Sequence, residues 1–116
     1  MSRFERRRSA TLGPGARPVS IPDDVDDVGV VKERGIVELP LRVRWSGPER
    51  RYDLRDRRQR ALVYEQVLAE GTDDDVRRFI DVNDLIDLWP DLVLPRHVRA
   101  AWSRWLRERR SIVVAC

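Results

Sequence analysis

The sequence predicts an α+β fold: an N-terminal β-hairpin followed by about four helices, two of them short. Three observations carry this. Residues 36–54 alternate apolar and polar side chains with period two. Four segments between 57 and 110 place their apolar residues at helical spacing. Capping and breaking residues (Asp56, Gly71, Thr72, Asp81, Pro90, Pro95) stand between those segments. A chain of 116 residues has room for one modest core. Residues 1–20 read as a disordered basic tail, 21–110 as a single domain, and 111–116 as an apolar C-terminal tail of undetermined placement.

In chain order, Pro22 and the acids Asp23, Asp24, Asp26 and Asp27 predict a loop, after which Val28, Val30 and Val31 are candidates for a third, edge strand. Leu39, Leu41, Val43 and Trp45 alternate with Pro40, Arg42, Arg44 and Ser46, as a half-buried strand requires. Ser46-Gly47-Pro48-Glu49 has the composition of a turn, and Tyr52 and Leu54 return on the core face. Asp56 can cap a helix over about 57–70, with Ala61, Tyr64, Val67 and Leu68 as its stripe and Gly71 as its end. Thr72 caps a short helix whose first turn holds Asp73, Asp74 and Asp75, where the helix dipole favours carboxylates. Asp81 starts a further helix with Val82, Leu85, Ile86 and Trp89 on one face, stopped by Pro90. Leu92–Leu94 crosses in extended form. Pro95 then opens a last helix over about 96–110, with Val98, Ala101, Trp102, Trp105 and Leu106 on its inner face.

The chain has 22 Arg and a single Lys, Lys32. With abundant Val, Asp and Ala, that bias follows from the codon usage of a GC-rich genome, such as an actinobacterial one. The net charge of +3 conceals blocks. Residues 41–60 and 96–110 are strongly basic, and residues 70–91 hold eight acids against two Arg. The sole cysteine, Cys116, excludes an intrachain disulfide and fits a reducing cytoplasm. No apolar run reaches the length of a membrane span or a signal peptide.

The residues that would carry chemistry are sparse. A nucleophilic triad needs a histidine base beside Ser or Cys, and the one histidine, His97, falls off the apolar stripe of the last helix. Zinc needs several His or Cys ligands. Asp73-Asp74-Asp75 lacks the alternating ligands and closing Glu of a calcium loop. Gly13-Pro14-Gly15 is not followed by the Lys-Ser/Thr of a phosphate loop. The expectation is a non-enzymatic binding protein with no cofactor and no metal.

Two binding signals remain. On a helical wheel Arg96, Arg99, Ser103, Arg107 and Arg110 share one flank of the last helix, a stripe suited to phosphates or to an acidic protein. Arg42 and Arg44 project from the hairpin face opposite Leu41 and Val43, beside a cluster running from Arg50 to Arg60. The acids around Asp73, Asp74 and Asp75 form the opposing negative surface, available to a basic partner or to that cluster itself.

The string Tyr52-Asp53-Leu54, Val63-Tyr64-Glu65-Gln66-Val67-Leu68, Glu70-Gly71-Thr72, Phe79-Ile80-Asp81, Leu88-Trp89-Pro90-Asp91-Leu92, Leu94-Pro95 and Ala101-Trp102 resembles a group of small actinobacterial proteins. Proteins of that group are encoded beside nucleotidyltransferase toxins of the abortive-infection type and are candidate antitoxins. The resemblance covers residues 52–106, about half the chain. It implies a protein that restrains or regulates a partner toxin by direct contact, with catalysis in the partner. The shared positions are apolar and turn residues, so no functional residue transfers. The alternative expectation is a small nucleic-acid-binding transcriptional regulator using the Arg-rich hairpin or the last helix.

Overall fold

The computed structural model describes residues 19–27, 29–40 and 51–115. It shows an α+β fold in which two short antiparallel strands precede four helices. Strand β1 (Ile36–Glu38) pairs with β2 (Arg51–Asp53) in the register Ile36↔Asp53, Val37↔Tyr52, Glu38↔Arg51. Val37 and Tyr52 therefore face each other across the ladder. Both are buried, and Leu39 and Leu54 continue the same inward face by the period-two rule. Gly35 enters β1 at φ +75°, a left-handed conformation that costs a residue with a Cβ, and its carbonyl accepts the Leu54 N–H at 2.8 Å.

The third strand predicted at Val28, Val30 and Val31 does not form among the described residues. Residues 29 and 30 turn and bend, and Val31 is 87% exposed. The preceding acids decide this. Successive turns close from Val25 N–H to Pro22, from Asp27 to Asp24 and from Val30 to Asp27, which commits the backbone groups a strand would offer. The outward strand of Leu41, Val43 and Trp45, with its turn at 46–49, lies outside the described residues.

Helix α1 (Arg57–Glu70) starts where predicted, with the Asp56 carboxylate accepting from the N–H groups of Arg58 and Gln59. It buries Val63, Tyr64, Val67 and Leu68; Val63 joins the stripe that spacing assigned to Ala61, which is only half-buried. Gly71 ends it as predicted. Its backbone is extended, and a Cβ there would sit 2.6 Å from the Val67 carbonyl oxygen.

Helix α2 (Asp73–Phe79) opens on a capping box, and α3 (Val82–Leu88) opens on the Asp81 carboxylate, which accepts from Asn83 and Asp84. Trp89 does not continue α3 as its spacing suggested. Pro90 follows it, and Trp89–Asp91 tighten into a 3₁₀ turn. Residues 92–94 run extended, with the Val93 N–H on the Glu65 carboxylate at 2.8 Å.

Helix α4 (Arg96–Arg110) lays Val98, Trp102 and Leu106 into the core. Ser111 ends it at φ 56°, and Ile112 N–H returns to the Leu106 carbonyl. The C-terminal tail then folds back. Val114 packs on the core and the Trp89 indole N–H donates to the Ala115 carbonyl at 2.6 Å. The N-terminal segment packs too, through Val19, Ile21 and the fully buried Val25. All of these apolar groups belong to one cluster, so each fully buried side chain contributes about 1.5–3 kcal/mol to the same core.

Candidate binding surfaces

The residues singled out from sequence fall into three fates. Arg42 and Arg44 lie outside the described residues. The second group, the acids of 70–91, is largely engaged inside the fold. Asp75 is 4% exposed and accepts from the Thr72 N–H at 2.8 Å and the Thr72 hydroxyl at 3.1 Å. Asp74 pairs with Arg77 at 2.8 Å; Asp73 stays exposed. Asp87 and Asp91 are both held by Arg57, whose Nη1 reaches Asp87 at 2.6 Å and whose Nε reaches Asp91 at 3.1 Å. The two hydrogen bonds, Asp87 foremost, hold the Arg57 proton more firmly than usual. One member of the basic 41–60 block thus neutralises two acids of the 70–91 block, and ties the start of α1 to the end of α3.

The third group is the arginine flank of α4, and the fold divides it. Arg99 turns inward: its guanidinium lies 4.7 Å over the Trp89 ring and donates to the Leu92 carbonyl at 3.0 Å. Arg110 donates to Asn83 Oδ1 at 3.0 Å and sits 3.8 Å from the Asp26 carboxylate. Ser103 is buried. Arg96 and Arg107 remain exposed and form no ion pair or hydrogen bond among the described residues. Arg104, which the flank omitted, is exposed and equally unengaged there. A signal for it was present: on the wheel, Ala100, Arg104 and Arg107 lie opposite the pole formed by Val98, Trp102 and Leu106.

Sequence reasoning missed a cleft of about 630 Å³ between the N-terminal segment and the start of α3. Val25, Val30, Val31 and Val82 supply its apolar lining, and Asp26, Lys32, Arg34, Asp81 and Arg110 its charges. The Lys32 ammonium donates to the Arg77 carbonyl at 2.7 Å, in the last turn of α2, where the helix dipole favours a cation. Burial pulls its pKa below the usual lysine value, against the opposing pull of Asp81, Asp24 and Asp26. Arg34 reaches Asp81 at 3.7 Å and is otherwise open to solvent. No sequence pattern marks this cleft, because its walls come from segments far apart in the chain, residues 25–34 against 81–83 and 110.

The Tyr64 hydroxyl accepts the Asp81 N–H at 3.0 Å, and burial pushes its pKa up, so it stays neutral. His97 is half-buried near the start of α4. Among the described residues no group of three or more His, Cys, Asp or Glu side chains is placed to hold a metal ion. No described helix is long and apolar enough to cross a membrane. The chain matches no known protein family, no curated protein and no solved structure.

Proposed function

We propose that this is a binding protein that works by contact, and that it restrains or regulates a partner nucleotidyltransferase toxin as an antitoxin would. The observation that carries the reading is the cleft. Valines set among charges of both signs, with the charges prevailing, give a partner apolar contact and polar groups that fix its orientation. Val31, at 87% exposure, gives an incoming apolar side chain a surface to cover. The identity of the partner comes from the resemblance of residues 52–106.

The acidic segment is a poor alternative docking surface. Asp75, Asp81, Asp87 and Asp91 already serve as caps or as partners of Arg57 and Arg34, so a basic groove would have to displace those contacts. Catalysis stays in the partner on this reading. Co-expression with a nucleotidyltransferase toxin of the abortive-infection type, followed by affinity capture, is the test. A stoichiometric complex and relief of toxicity are expected. Val31→Asp places a charge on an exposed site that must be desolvated, and is expected to weaken the complex at least tenfold (about 1.4 kcal/mol). Absence of a complex with the intact chain overturns the reading.

A further inference from the structure

We infer that the solvent face of α4 binds the phosphate backbone of double-stranded nucleic acid, without reading its sequence. The inference stands on α4 alone and does not rest on the reading of the cleft. Arg96, Arg104 and Arg107 point to solvent from this face, with Ala100 exposed between them. At the helical rise of 1.5 Å per residue, the outer two are about 16 Å apart along the axis. None of the three has an acidic partner among the described residues, although the chain carries 20 acids and pairs many of its other arginines. Guanidinium groups left in this state release condensed counterions when they meet phosphates, which is the main source of sequence-independent affinity.

The chemistry of the face separates phosphate from the other anionic surfaces. A protein interface of ordinary strength needs an apolar or aromatic centre, and this face offers nothing larger than Ala100. Single-stranded nucleic acid is held by base stacking on exposed aromatic rings. Here Trp102 is fully buried, Trp105 is half-buried beneath the Arg109 guanidinium, and Trp89 is 2% exposed. Base edges are read mainly by side chains that reach into a groove. Three arginines spaced along one rigid helix are suited instead to contacts along a duplex backbone.

Fluorescence anisotropy with a labelled 20-base-pair duplex of mixed sequence tests this, run with DNA, with RNA and with polyglutamate as the non-phosphate polyanion. Three phosphate contacts give a logarithmic salt slope of about −2.7, so affinity for DNA should fall about 40-fold between 50 and 200 mM salt. Each Arg→Ala change at 96, 104 or 107 should reduce the slope by about 1, whereas the triple Arg→Lys variant should keep it, since Lys also contacts phosphate. DNA and RNA duplexes binding alike supports a backbone contact; discrimination among DNA sequences overturns it. Polyglutamate binding as tightly as the duplexes overturns phosphate as the ligand. No duplex binding at 50 mM salt, or an unchanged slope in the triple Arg→Ala variant with its circular dichroism intact, overturns the inference. A toxin complex that survives the triple Arg→Ala variant leaves the contact-protein reading standing when this one fails.

Discussion

The acidic stretch 73–91 and the arginine-rich helix α4 carry comparable blocks of charge, but the fold uses them in opposite ways. The acids face helix starts and a bridging arginine: Asp75 and Asp81 close the first turns of α2 and α3, and Asp87 and Asp91 share Arg57. In α4 the two arginines nearest the core, Arg99 and Arg110, are engaged, and Arg96, Arg104 and Arg107 are not. The difference shows that a charge block is a binding signal only after the carboxylates and guanidiniums that build the fold are set aside. Short helices consume acids because their exposed N–H groups form a large share of their backbone. A 15-residue helix has a whole face with no such demand.

The comparison can be broken most forcefully on the inner side of α4. Trp102→Ala removes a fully buried ring and should cost about 3–5 kcal/mol, measured by urea denaturation. On the acidic side, Asp75→Ala removes a buried carboxylate and leaves the Thr72 N–H without its acceptor, and should cost about 1–2 kcal/mol. A loss below a few tenths would show that the carboxylate is not needed by the fold and is free for a partner. Ser111→Gly relieves the left-handed backbone at the end of α4 and should raise stability by about 0.5–1 kcal/mol, visible as a higher Tm. The three outward arginines, replaced singly by Ala, should each change stability by no more than about 0.5 kcal/mol, since they hold nothing in place. A larger loss would place them among the structural arginines.

The smallest effect at neutral pH is a pH dependence. The Arg77 guanidinium, hydrogen-bonded at 2.8 Å, holds the Asp24 carboxyl below its usual 3.8. A carboxyl with a depressed folded pKa stabilises the fold above its unfolded pKa, and that contribution is lost as pH falls through the folded value. Asp24→Asn should therefore lower stability slightly at neutral pH and leave it unchanged at the acid end, which flattens the acid limb of the stability curve below about pH 4. A limb unaltered by the substitution would mean that the exposed pair contributes nothing.

The helices were legible because their signals are local. Asp56, Thr72 and Asp81 cap the turns that follow them, and the Val98–Trp102–Leu106 spacing identifies the buried side of α4. The end of α1 at Gly71 was legible too, but the close approach to Val67 that requires glycine there was not, since it leaves no trace in local sequence. Pattern reasoning predicted a strand from Val28, Val30 and Val31 because β-branched residues favour strands; the turns between residues 22 and 30 decided otherwise.

The candidate surfaces were the least legible part. The cleft joins residues 25–34 to 81–83 and 110, and only packing brings them together. The same holds for the C-terminal tail, whose seat on Trp89 depends on an indole donor 26 positions earlier in the chain. By itself, then, the sequence determined where helices start, stop and turn their apolar side, because capping and periodicity act over a few residues. Which carbonyl, ring or carboxylate each engaged arginine meets was decided by the tertiary structure, because a long side chain takes its partner from whatever the fold brings within reach.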